Sequence, residues 1–223
     1  MKIIARISTD FSSKFGLPRQ SGLVDEIKGR IVFEKEYRNP EAFKGLEDFS
    51  HIWLIWQFSQ AVREDWSPTV RPPMLGGNKR MGVFATRSPF RPNPVGLSCV
   101  KLERIEYTRS EGPVLYVSGC DLMDGTPIYD IKPYLPFTDS HPDACGGFAE
   151  RTDDRTVSVV FPQDLLALIP ENKRDVLISV LEQDPRPAYQ SNPDRVYGFG
   201  FAGFEIRFTV CDKVLTVVSA EHK

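Results

Sequence analysis

The apolar positions of this chain fall into two regimes. Up to about residue 134 they come in short runs, alternating or apolar on both sides, separated by polar segments bearing glycine and proline. Residues 2–8, 29–36, 51–58, 95–107 and 114–118 each read as a β-strand, because β-branched and aromatic side chains fill them and turn residues close them. The run from His51 to Phe58 is apolar on both faces, which marks a central strand with Trp53, Ile55 and Trp56 as core residues. One short helix interrupts the series. Asn39-Pro40-Glu41 supplies a cap, a proline at the first helical position and an acid in the first turn, and Gly45 stops it. Strands that follow one another with almost no helix between them predict an antiparallel sheet curled into a barrel, not alternating βαβ units.

The second regime begins near residue 157. Residues 170–183 read as a helix, with Val176, Leu177, Val180 and Leu181 on one face and Lys173, Arg174, Asp175 and Glu182 on the other. Asp184-Pro-Arg-Pro-Ala-Tyr ends it in a rigid turn, and two strands follow near 203–210 and 214–220. Between the regimes, residues 136–155 are rich in Asp, Ser, Pro and Gly and read as a linker. The expected organisation is mainly β: an antiparallel β-barrel N-terminal domain over 1–138, a linker over 139–156, and a small α+β C-terminal domain over 157–223.

Several polar segments carry candidate chemistry. The connection 59–80 is longer than the usual loop of a compact domain, which marks it as functional, mobile or partner-bound. Residues 82–98 read as a short apolar strand, a turn stiffened by Pro89, Pro92 and Pro94, and a second strand from Val95. That turn displays Arg87, Arg91 and Asn93. Planar cationic donors on a rigid backbone suit an anion, a carboxylate or a purine edge, and solvated arginines on a hairpin are the alternative reading. Pro18-Arg-Gln-Ser-Gly and Asp124-Gly-Thr-Pro are similarly short, polar and stiff. Each alone is an ordinary turn, but strand-end loops of a barrel gather at one rim, so the three could line a single pocket. Gly198, Gly200 and Gly203 have the spacing of a dinucleotide fingerprint. The residues after them alternate as a strand, so they mark a bend or bulge in a sheet instead.

Composition narrows the choice of partners. The 223 residues are 41% hydrophobic and 26% charged, as in a soluble globular protein. No run approaches the ~20 apolar residues of a membrane helix, and the N-terminus has no long apolar signal segment, so a cytoplasmic location is expected. A net charge of -2 argues against a surface coated for bulk nucleic-acid binding and leaves room for a local basic face. Cys99, Cys120, Cys145 and Cys211 are scattered, without a Cys-x-x-Cys, and are expected to be reduced and mostly buried. His51, His141 and His222 have no ligand-like spacing, so no metal is expected.

Pro18-Arg-Gln-Ser-Gly-Leu, Gly45-Leu-Glu-Asp-Phe-Ser-His-Ile-Trp, the 82–96 stretch and Asp121-Leu-Met-Asp-Gly-Thr-Pro-Ile-Tyr-Asp-Ile-Lys-Pro-Tyr occur in that order. Together they closely resemble the TsaA-like family, and Gln183-Asp-Pro-Arg-Pro-Ala-Tyr resembles the second domain of its bacterial enzyme. The resemblance implies a methyltransferase using S-adenosyl-L-methionine on a single-sheeted barrel, with no metal. It implies a homodimer with the cofactor pocket near the subunit interface. The implied substrate is threonine tRNA, methylated on N6 of the threonylcarbamoyl-adenosine 3′ of the anticodon. Carried over motif by motif, the cofactor contacts are Arg19, Gln20, Ser21, Ser59, Gln60, Arg87, Leu97, Asp124, Gly125, Thr126 and Pro127. The acceptor nitrogen must lose its proton around the time of attack, and Asp124, Tyr129 and Asp130 are candidates to help, with no choice among them in the sequence. Arg91 and Lys132 near the pocket, with Arg186 and Tyr189 in the second domain, are the candidate tRNA contacts. Two alternatives stand beside this reading: an S-adenosyl-methionine-binding RNA module or regulator without catalysis, and a methyltransferase for a different acceptor.

Overall fold

A computed structural model describes residues 1–150, 156–186 and 192–222, apart from the side chain of Met74. Its first eight strands are β1 (Ala5–Ser8), β2 (Lys28–Phe33), β3 (His51–Gln57), β4 (Thr69–Val70), β5 (Met81–Gly82), β6 (Val95–Thr108), β7 (Gly112–Ser118) and β8 (Pro127–Pro133). Six of them close a barrel in the order β1-β2-β7-β6-β3-β8, every described pairing antiparallel. The expected barrel is therefore present. Alternation fixes its inside: Ile52, Leu54 and Trp56 from β3 and Val100 and Leu102 from β6 point into the core, while Trp53, Ile55, Leu97 and Cys99 face outward. Gly29 has no room for a side chain, since a Cβ there would lie 2.7 Å from Ile7. The helix expected after Asn39 is a 3-10 turn over Pro40–Phe43, capped by the Asn39 side chain on the Glu41 N–H at 3.1 Å.

After the barrel come α1 (Pro136–Asp139), β9 (Ser158–Val160), α2 (Gln163–Leu168), α3 (Glu171–Glu182), β10 (Tyr197–Phe201), β11 (Phe204–Cys211) and β12 (Val214–His222). A second sheet runs β10-β11-β12-β9, with β9 parallel to β12. Leu177, Val180 and Leu181 of α3 join Phe199, Phe208 and Leu215 in its core. The helix lies where its apolar face predicts. Strands β9 and β10 and helix α2 are additions to the sequence reading, and Gly203 belongs to a tight β10–β11 turn (φ +82 at Gly203, +49 at Ala202), not to a bend within a strand.

Two further expectations need correction. Residues 82–98 do not open on a strand of any length: β5 ends at Gly82, and Val83–Ala85 form a 3-10 turn. Of the cysteines, Cys120 is buried, Cys99 is half-buried, and Cys145 and Cys211 are exposed.

Candidate functional site

The 124–127 turn does not join the other two polar loops; those two, 18–22 and the Arg87 turn, meet at a residue that the sequence reading passed over, Asp121. Its carboxylate accepts the Ser98 hydroxyl at 2.6 Å. Ser98 in turn accepts the Trp56 indole N–H at 2.9 Å. Gly96 lies against that indole, where a Cβ would collide with the ring, so the Val95-Gly-Leu-Ser motif is shaped to admit Trp56. The Ser21 N–H also donates to Asp121, and the Arg87 guanidinium faces it. Burial pushes the Asp121 carboxyl above its ordinary range. The hydrogen bonds from Ser98 and Ser21 and the charge of Arg87 oppose that shift and do not cancel it. Arg87 also donates to the Gln20 amide oxygen, and the Gln20 Nε2 donates to the Arg19 carbonyl at 2.5 Å. Ser21 and Arg87 thus meet at a desolvated carboxylate, with Gln20 against Arg87 and the Arg19 carbonyl against Gln20.

The loop bearing Arg19 is also set from its other side. Gly16, at φ +84, packs beneath Phe199, and any Cβ would enter that ring. Phe11 meets Phe201 edge to face at 5.3 Å, the Ala202 N–H donates to the Asp10 carbonyl at 2.8 Å, and Lys173 pairs with Asp10. Arg19 donates to the Asp184 carbonyl at 3.2 Å. The second sheet therefore fixes the first candidate loop.

The turn 124–127 is sewn to β1. Asp124 Oδ1 accepts the Ser8 hydroxyl at 2.9 Å and the Thr9 N–H at 3.0 Å, and Gly125 N–H donates to the Ile7 carbonyl at 2.8 Å. Thr126 and Pro127 are buried, with Thr126 Oγ1 donating to the Met123 carbonyl. Asp124 therefore fastens its own turn, and no described contact joins it to Arg87. Beyond it, the pairing of β8 with β3 slips between Ile55 and Trp56, leaving Tyr129 as the extra residue of a bulge. Asp130 lies opposite the outward Ile55 and pairs with Lys132 at 3.1 Å, so both sit on the outer wall.

The remaining candidates separate. Ser59 and Gln60 are exposed where β3 runs out, and Leu97 is 52% exposed on the outer wall opposite Ile55. Arg91 donates back to the Thr86 carbonyl at 3.2 Å and staples its own turn. Arg186 makes a bidentate pair with Asp184, both bonds 2.8 Å, in a side chain only 16% exposed. A phosphate would have to displace that carboxylate to reach it. Tyr189 lies outside the described residues.

Two clefts flank this region. One, of about 300 Å³, is lined by Gly22, Gly119, His51, Cys99, Lys101 and Glu103 among others, and by none of the expected cofactor residues. The other, of about 320 Å³, lies between Glu26 and Lys28 on the barrel side and Asn172, Lys173 and Val176 of α3. Among the described residues, no group of three or more His, Cys, Asp or Glu side chains is placed to hold a metal, and no helix is long and apolar enough to cross a membrane.

With this geometry in hand, comparison with known proteins is direct. The family model described as the tRNA-methyltransferase O N-terminal domain matches residues 6–140, and that of the TrmO C-terminal domain matches 154–223. A tRNA (adenine(37)-N6)-methyltransferase of Escherichia coli (strain K12) is 41% identical over 99% of this chain and 97% of its own length. A protein of the same name from Eikenella corrodens is 48% identical over 77% of this chain and 96% of its own. A crystal structure of TrmO from Pseudomonas aeruginosa superposes with a TM-score of 0.79 at 31% identity, covering 99% of this chain and 95% of that one.

Proposed function

The chain belongs to the tRNA-methyltransferase O family, and from that membership we propose that it methylates N6 of the adenosine 3′ of the anticodon, carrying its threonylcarbamoyl group, in threonine tRNA. S-adenosyl-L-methionine supplies the electrophilic methyl group as a sulfonium. The observation that carries this reading is that both family models match in order, with the 18–22 loop and the Arg87 turn meeting at Asp121.

The donor set fits the cofactor. A desolvated carboxylate beside a guanidinium, with the Gln20 amide between the loops, complements a ligand bearing both an ammonium and a carboxylate. Arg87, Gln20, Arg19 and Ser21 would hold it, with Leu97 offering apolar surface. Ser59, Gln60 and the turn 124–127 belong to the same proposed set, Asp124 through the placement of its turn. Asp121 acts as a positioning residue: it ties the first loop and the Arg87 turn to the barrel through Ser98. In the reaction an N–C bond forms as the C–S bond breaks, and the N6 proton leaves. Asp124, Tyr129 and Asp130 remain the candidate acceptors. Asp124 already accepts two hydrogen bonds through one oxygen, and Asp130 pairs with Lys132.

The same reading places the protein in the cytoplasm as a homodimer, with its two parts joined through 139–156. Support for the dimer is that Arg87, Leu97, Ser59, Gln60 and Asp124 are all exposed in a single chain. Methyl transfer needs a site that orients both reactants and excludes water, and in this reading a second chain adds to the wall that bound cofactor and tRNA complete. Arg91, Lys132, Arg186 and Tyr189 stay as proposed tRNA contacts. Incubation with methyl-labelled cofactor and threonine tRNA, with and without the threonylcarbamoyl group, tests the whole reading. Label should enter only the modified tRNA. Label in the unmodified tRNA alone would assign a different acceptor, and cofactor binding without transfer to any RNA would leave a sensor or regulator.

A further inference from the structure

The excursion 59–93 holds a surface that the cofactor reading does not use. Trp66 and Phe84 stack on each other with centroids 6.0 Å apart and planes 27° from parallel, yet they are 48% and 72% exposed. Burial explains neither ring. The segment carries six cationic side chains and two anionic ones, while the rest of the chain carries 22 cationic against 28 anionic. Arg71 and Arg80 are exposed, and Arg63 lies over the Phe90 ring at 4.1 Å. A basic, aromatic patch on an otherwise acidic protein has the chemistry of a single-stranded nucleic-acid platform: rings for base faces, guanidinium groups for phosphates.

We propose that Trp66 and Phe84, with Arg71 and Arg80 farther along the β4–β5 ribbon, form a stacking surface for unpaired bases of the tRNA anticodon loop. The proposal rests on the reading of tRNA as substrate. Phe84 is three residues before Arg87, at most about 10 Å of chain, so a loop seated on the rings delivers a neighbouring base to the same rim. Charge selects the occupant. Apart from Arg87 and Arg91, the excursion carries Arg63, Arg71, Lys79 and Arg80 against Glu64 and Asp65, so two copies docked through the rings would set like charge against like, whereas RNA brings opposite charge.

Full-length Trp66→Ala, Phe84→Ala and Trp66→Phe variants, with Arg71→Gln and Arg80→Gln, test the surface by binding of modified threonine tRNA across a salt series. Each alanine variant should weaken binding about tenfold, and Trp66→Phe should retain most of it because a ring still stacks. Each glutamine variant should reduce the slope of log K against log salt by about one. Cofactor affinity and sedimentation should not change. Wild-type tRNA affinity in the Trp66→Ala, Phe84→Ala double variant overturns the proposal. So does a weakening accompanied by loss of self-association, which makes the face a contact between copies, or loss of binding to anionic vesicles with RNA binding intact. Failure of the wild type to methylate tRNA it binds through these rings would instead overturn the reaction and leave the surface.

Discussion

The two loops that meet at Arg87 and Gln20 are held in opposite ways. The 18–22 loop is wedged: Gly16 sits under Phe199, Arg19 reaches the Asp184 carbonyl, and the Ser21 N–H is bound to Asp121. The 59–93 excursion is closed at its base, where the Phe58 N–H donates to the Pro94 carbonyl at 2.9 Å. Above that it folds on itself, with β4 against β5, Val83 buried, and its largest rings in solvent. The first loop takes its shape from the chain's own second sheet. The second leaves its largest rings exposed. On the proposed reading, the difference gives the cofactor side of the rim to intramolecular packing and the RNA side to recognition.

The sharpest way to break the comparison is at the wedge. Gly16→Ala combines a positive φ with a collision against Phe199, each worth about 1–2 kcal/mol. Thermal unfolding should fall by roughly 5–15 °C, and cofactor affinity should fall with it. A midpoint within a degree of wild type would show that the seam does not set the loop.

Asp121→Asn gives the next largest effect. It keeps the shape and removes the charge facing Arg87, so cofactor binding should weaken about tenfold, the equivalent of one charge-assisted hydrogen bond. Its pH dependence has a definite sign. Because burial holds the folded carboxyl above its unfolded value, the folded state keeps the proton longer. Asp121 therefore withdraws stability as pH rises from about 3.9 through its folded pKa. Over that window the stability of Asp121→Asn relative to wild type should increase with pH, as followed by denaturant unfolding. A flat difference would place the carboxylate in an ordinary solvated setting.

Lys173→Ala is the mildest change. Lys173 and Asp10 are about a quarter exposed, so the pair contributes less than about 1 kcal/mol, and cofactor affinity should not change. A loss comparable with that of Gly16→Ala would move control of the wedge from packing to charge.

Most of the scaffold was legible because its signals are local. Alternation along 95–107 identified β6, and Asn39-Pro40-Glu41 identified a capped start, though of a 3-10 turn and not of the helix expected. The elements that escaped depend on distant partners: β9 is three residues long and exists through parallel pairing with β12, and the glycines of β10 are given meaning by the turn into β11. The site divides in the same manner. Arg87 and the 18–22 loop announce themselves by residue type and stiffness. Asp121 becomes central only when Ser21, Ser98 and Arg87 arrive from three separate segments, although Ser98 left a trace as the polar residue at an inward position of β6. Arg186 shows the converse, a phosphate-binding residue type with one edge of its guanidinium held by a carboxylate two residues away.

The division of the rim is tested most directly by titrating S-adenosyl-L-methionine calorimetrically into the wild type, Arg87→Ala, and the Trp66→Ala, Phe84→Ala double variant. Losing the guanidinium should weaken binding about 10–100-fold, while losing both rings should leave it unchanged. Wild-type affinity in Arg87→Ala, or an equal loss in both variants, would contradict the account.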